Sequence, residues 1–196
     1  MRKLILASAS ARRREILSHI GLEYTAINAD VDEVNGLPDT PDGTVETLSE
    51  RKARAIVDKC GSGNIVIGSD TIVYKDGKIL TKPTDADEAK RMLCELSGSV
   101  HQVYSGLCVT DGSKTVRTHA VTSVKMRVIS QREIDAYVAT GEPLDKAGAY
   151  GIQDLGGIFV EKIDGDYYNV VGLPLEKLCT VLADEFGCNV LEQIKK

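Results

Sequence analysis

The 196-residue sequence has no long apolar run, no basic excess and no paired cysteine spacing, and each lack removes a class of protein. No stretch approaches the ~20 apolar residues that cross a bilayer, so a membrane protein is not expected. Lys and Arg number 24 against 29 Asp and Glu, a net charge of −5. A stable nucleic-acid binder would carry a basic field instead. Cys60, Cys94, Cys108, Cys179 and Cys188 are odd in number and lack CxxC pairs. A disulfide framework or structural zinc site is therefore not expected, and a reducing cytoplasm fits. His19, His101 and His119 show neither triad nor metal spacing and read as structural or surface residues. GxxxxGK[ST] is missing, which excludes a P-loop, and no repeat or low-complexity tract appears. What is present is 42% hydrophobic residues, enough to bury a core as one domain over 1–196, or as two lobes of one domain able to enclose a cleft.

Strand and helix signals interleave along this chain. Residues 3–7 and 24–29 read as strands with a helix at 11–20 between them, followed by the acidic loop Asp30-Val31-Asp32-Glu33. Pro38, Pro41 and Gly43 mark a loop, and a helix is predicted over 45–60. Ile65-Val66-Ile67 is of buried-strand type, and Lys75-Asp76-Gly77-Lys78 reads as a hairpin turn. Thr84 with Asp87 resembles a capping box for a helix carrying Ala89, Met92, Leu93 and Leu96. Long strands near 100–110 and 115–128 flank an Asp111-Gly112 turn. Helices are predicted at 130–139 and at 174–186, the latter with Pro174 in its first turn and Gly187 as its stop. The mixture predicts an α/β protein with a long mixed sheet and flanking helices.

The stretch LILASASARRREIL, residues 4–17, sets Arg12, Arg13 and Arg14 where a helix begins. Ser10 is the natural N-cap, so Arg12 and Arg13 fall in a first turn whose exposed N–H groups are already partly positive. Each misplaced charge costs about 0.3–1 kcal/mol unless an anion sits there. A phosphate would reverse that sign, because backbone N–H groups, the Ser8 and Ser10 hydroxyls and an arginine fork all suit its oxygens. The competing readings are a solvated arginine face and an Arg- and Ser-rich mitochondrial presequence. Against the presequence, Leu4-Ile5-Leu6-Ala7 has the look of a buried strand; as a secretory signal that run is too short.

Asp70 lies in Ile65-Val66-Ile67-Gly68-Ser69-Asp70-Thr71-Ile72-Val73, a carboxylate inside an otherwise apolar segment. Buried, it needs a cation, a metal or a proton; alternatively Gly-Ser-Asp-Thr is a tight turn and Asp70 is solvated. Lys52 falls between Leu48 and Ile56, within the stripe that should face the core. It either snorkels to water or reaches anionic oxygens in a cleft. Lys82 is held by Pro83, a weak signal alone. Glu33 belongs to a charge run that is either solvated or part of a Mg²⁺ site, since Mg²⁺ is held by one or two carboxylates with substrate phosphates. The glycine-spaced loop from Asp145 to Gln153 carries an amide able to read a base edge, or is an irregular connection without a ligand.

Assembled in order, these segments resemble the Maf family of nucleoside triphosphate pyrophosphatases, also called septum formation inhibitor proteins. The likeness runs through Ser8-Ala9-Ser10-Ala11-Arg12-Arg13, Val31-Asp32-Glu33, Leu48-Ser49-Glu50-Arg51-Lys52-Ala53, Gly68-Ser69-Asp70-Thr71, Lys82-Pro83, Ser97-Gly98 with His101 and Gly106, the 145–153 loop, and Asn169-Val170-Val171-Gly172-Leu173-Pro174-Leu175. The family usually has proline, alanine and glycine where this chain has Ala11, Ser69 and Thr81.

The resemblance implies a two-lobed α/β fold similar to inosine triphosphate pyrophosphatases, with the active cleft between lobes, and a homodimer. It implies hydrolysis of a nucleoside triphosphate to the monophosphate and pyrophosphate, with Asp70 as base. Ser8, Arg13, Glu33, Lys52 and Lys82 then form the phosphate and metal environment, and Glu33 and Asp70 hold a divalent cation, Mg²⁺ or Mn²⁺. Arg12, Thr71 and Gln153 match the subgroup acting on dTTP and UTP rather than the one acting on 7-methyl-GTP. The alternatives are a nucleotide-binding regulator of cell division and a pyrophosphatase for modified purine triphosphates.

Overall fold

The computed structural model describes residues 2–60 and 63–193. The apolar quartet Leu4–Ala7 forms β1, buried at every position and paired in parallel on both sides, with β2 (Thr25–Ile27) and β3 (Ile65–Lys75). A strand covered on both faces cannot alternate polar and apolar residues, which is why it reads as an unbroken apolar run. β3 turns through Asp76 and Gly77, both at positive φ, into the antiparallel β4 (Lys78–Leu80), as expected of a two-residue hairpin. β5 (Val100–Thr110), β6 (Thr115–Met126) and β7 (Val160–Asp164) complete the sheet. The order is β2-β1-β3-β5-β6-β7 with β4 also on β3, seven strands among the described residues. The parallel and antiparallel pairings make it a mixed sheet, and α1 (Ala11–His19), α2 (Pro41–Cys60), α3 (Ala86–Leu96), α4 (Gln131–Ala139), α5 (Tyr167–Val171), α6 (Leu175–Phe186) and α7 (Val190–Gln193) give it the predicted α/β class.

The chain divides into two compact units. One comprises Met1–Asp70, Ser105–Ala120 and Gly172–Lys196; the other comprises Thr71–Tyr104 and Val121–Val171. In the first, Ala53 and Ile56 of α2 pack with Ile5, Ala7, Val66 and Cys108. In the second, α3 and α4 bury Leu93, Leu96 and Ile134 with Val103, Met126 and Phe159. His101 is buried there, its Nε2 2.7 Å from the Tyr150 hydroxyl. Among the described residues no helix is long and apolar enough to cross a membrane.

Several boundaries differ from expectation. α2 starts at Pro41 rather than 45, because proline suits a first turn whose N–H groups have no helical partner, and Thr40 accepts from the Gly43 N–H at 3.3 Å. The cap of α3 is Asp85, not Thr84: its carboxylate accepts from Glu88 N at 2.7 Å, while Thr84 donates through backbone and hydroxyl to Glu88. β2 is shorter than 24–29, and Pro174 precedes α6 instead of entering it. Gly68 to Thr71 is no turn; all four residues lie inside the 11-residue strand β3.

Candidate active site

At the start of α1, Ser10 is extended and its hydroxyl accepts from the Arg13 N–H, as predicted. The Ser8 hydroxyl accepts from Ser10 N at 3.1 Å, so two serines shape the turn between β1 and the helix. The three arginines then part company. Arg14 is exposed, Arg12 half-buried, and Arg13 turns inward. Its Nε donates to the Gly172 carbonyl at 2.7 Å and its Nη1 to Ser8 Oγ at 3.3 Å. Burial lowers the Arg13 pKa; Asp70 and Glu33 oppose that shift and Arg12 adds to it. An arginine stays ionised through such a shift, so a positive charge is held in a buried position beside a helix N-terminus. A solvated arginine face is therefore wrong for Arg13.

The second half of the site depends on how closely α2 lies on the sheet. A Cβ at Gly68 of β3 would stand 2.1 Å from the Ser49 carbonyl oxygen, and one at Gly106 of β5 would stand 2.1 Å from that of Val45. Two glycines in neighbouring strands thus seat the helix backbone against the sheet, which any side chain would lift. Lys52, between the seated residues Ser49 and Ala53, is carried to the strand beneath. Its Nζ lies 2.6 Å from Asp70 Oδ1 and 2.6 Å from Glu33 Oε1. Lys52 does not snorkel: its side chain is 11% exposed and Asp70's 13%, whereas Glu33 is 52% exposed. The largely buried carboxylate at Asp70 has the cation it requires.

Glu33 reaches Lys52 from a loop folded on its own side chains. Asp32 accepts from Val34 N, Asn35 N and Asn35 Nδ2 at 2.8–3.0 Å, and these bonds, those of Asn35 first, pull its carboxyl down to about 2. Arg51 donates to the carbonyls of Asp32 at 2.9 Å and Gly36 at 3.0 Å. Among the described residues no group of three or more His, Cys, Asp or Glu is placed to hold a metal ion. Glu33 and Asp70 are carboxylates of the kind that bind a hard divalent cation, and they are two rather than three.

Ser8, Arg13, Glu33, Lys52 and Asp70 are therefore gathered within the first unit, with Arg12 next in sequence to Arg13. Thr71, Lys82 and Gln153 belong to the second unit. There Thr71 is half-buried, while Lys82 and Gln153 are exposed. The 145–153 loop contains a short 3-10 turn, Ala147–Ala149, with Gly148 and Ala149 at positive φ. Sequence reasoning missed Ser69 and Gly172 as site residues. The fully buried Ser69 hydroxyl donates to the same Gly172 carbonyl that accepts from Arg13, at 3.1 Å. The sequence offered only the glycine of the 169–175 segment as a signal, and in the structure its φ of 126° is one that favours glycine.

This constellation can be set beside known proteins. The family model described as Maf-like protein matches residues 3–185. The dTTP/UTP pyrophosphatase of Alkaliphilus metalliredigens (strain QYMF) is 50% identical over 193 residues, 97% of this chain and 100% of that protein. The dTTP/UTP pyrophosphatase of Bacillus cereus (strain AH820) is 48% identical over 178 residues, 91% of this chain and 93% of that protein. Among solved structures, the Staphylococcus aureus Ham1 protein aligns with 64% of this chain and 72% of its own at 14% identity and a TM-score of 0.44. On the match through almost its whole length, the chain belongs to the Maf-like protein family.

Proposed function

We propose that this protein hydrolyses dTTP and UTP at the α–β phosphoanhydride, releasing the nucleoside monophosphate and pyrophosphate. The observation that carries the proposal is the Lys52 ammonium shared at 2.6 Å by Asp70 and Glu33, beside the buried Arg13, in a chain half identical to curated dTTP/UTP pyrophosphatases. In this reading the triphosphate lies at the N-terminus of α1, where Ser8, Arg12, Arg13 and backbone N–H groups take its oxygens. Arg13 is already fixed by Gly172 and Ser8, so it loses little freedom when it engages phosphate. Lys52 adds a compact positive charge against the negative charge growing on the leaving pyrophosphate. Asp70 Oδ1 is engaged by Lys52, which leaves Oδ2 to accept the proton of the attacking water.

Glu33 and Asp70 would hold a divalent cation, Mg²⁺ or Mn²⁺, whose charge would polarise phosphate oxygens and offset their repulsion of the nucleophile. For Thr71, Lys82 and Gln153, the support for roles in substrate choice and phosphate binding is the sequence pattern. Pyrophosphate release from a panel of nucleoside triphosphates, with and without divalent cation, tests the proposal. Preferred turnover of dTTP and UTP is expected, and a preference for purine triphosphates would overturn it.

A further inference from the structure

Glu33 is the outlier of the site: half exposed, on a loop, yet 2.6 Å from a nearly buried ammonium. A long side chain on an exposed loop loses such a contact unless the loop backbone is itself held. Asp32 and Asn35 close the loop on itself, but those bonds tie it to nothing else. Arg51 ties the loop backbone to α2. Its Nη1 and Nη2 span the carbonyls of Asp32 and Gly36, on either side of Glu33 and close to it. Gly36 sits at φ +63, and a Cβ there would stand 3.4 Å from Arg51 Nη2, so the loop passes close over the guanidinium.

Consecutive residues on a helix point about 100° apart, and α2 uses that divergence. Lys52 points to the strand and takes the Glu33 carboxylate, while Arg51 points to the loop and takes its backbone. We propose that Arg51 is a positioning residue, holding the 32–36 loop on α2 so that Glu33 is kept on Lys52 opposite Asp70. The inference rests on the proposed hydrolysis for its consequence in turnover, and on the geometry alone for its consequence in loop order. The planar fork meets the two carbonyls with two separate nitrogens in a fixed geometry, whereas a lysine would have to meet both from one ammonium nitrogen on a flexible stem.

The test combines dTTP turnover with amide hydrogen exchange in R51Q, R51K, E33Q and R51Q/E33Q. Supporting residues around a metal-binding carboxylate are typically worth about 10–100-fold in activity, and R51Q is expected to lose that much. R51K should recover only a fraction, and the double variant should be no slower than E33Q, because Arg51 acts only through Glu33. Exchange over residues 30–37 should quicken in R51Q and R51K while exchange in α2 is unchanged. Wild-type turnover in R51Q, a further full loss on the E33Q background, or unchanged exchange over 30–37 would each overturn the assignment. If the wild-type protein hydrolyses neither dTTP nor UTP, the proposed function fails, and hydrogen exchange alone still decides whether Arg51 holds the loop.

Discussion

Replacing Gly68 by alanine probes the contact that brings Lys52 to Asp70. The new methyl would stand 2.1 Å from Ser49 O and 2.9 Å from Ala53 N, and ordinary contact begins at 3.4 Å, so α2 must retreat by roughly 1.3 Å near Ser49. Both obstacles are helix backbone, which cannot rotate out of the way. Overpacking of this kind costs about 1–3 kcal/mol, which for a chain of this size lowers the melting midpoint by about 2–4 °C per kcal/mol. The retreat acts directly on Lys52, which lies between the two obstructed residues, and a misplacement of ~1 Å at a reacting site costs about 10²-fold in rate. Gly106→Ala supplies the comparison. It obstructs α2 at Val45, seven residues or ~10 Å along the helix from Lys52, so it should lower the melting midpoint similarly and reduce turnover far less. Differential scanning calorimetry and pyrophosphate release from dTTP measure the two effects. A G68A protein that melts within about 1 °C of wild type and turns over normally would refute the seating of α2 on β3.

Other outcomes follow from the same geometry. Asp70→Asn should keep the fold and nucleotide binding but lose most turnover, about 10²–10⁴-fold for a lost general base; wild-type pyrophosphate release would remove Asp70 from that role. Chelation of divalent cations should abolish turnover and Mg²⁺ or Mn²⁺ should restore it, whereas full activity after exhaustive chelation would contradict a metal at Glu33 and Asp70. Stability should fall on mild acidification because of His101. Burial first, then Lys75, lowers its pKa from 6.5 to about 4, so between those values the unfolded chain binds a proton that the folded one does not. This contribution is complete above about pH 6.5 and lost as pH falls toward 4, amounting to about 3 kcal/mol. Urea unfolding across that range should show the slope in wild type, and a slope of equal size in His101→Asn would assign it elsewhere.

Local chemistry made some of this molecule legible in the sequence. A serine cap, an unbroken apolar quartet and an Asp-Gly turn act over a few residues, so Ser10, β1 and the Asp111–Gly112 connection are where pattern reading places them. Helical period likewise puts Lys52 on the buried face of α2, where a lysine breaks the apolar pattern and so marks itself. The start of α2 at Pro41 was less legible, because proline marks loops and first turns alike.

The partner of each charge was a different matter. Period says which way Lys52 points but not that Gly68 lets the helix close enough for it to meet Asp70, because that distance is set by two backbones far apart in sequence. Three adjacent arginines carry the same local signal, yet only Arg13 is drawn inward, by a carbonyl 159 residues away. By itself the sequence determined the α/β class, the capped arginine turn and the family. Only the tertiary structure decided which cation meets which carboxylate, since burial and distance between remote segments arise only once the sheet has assembled.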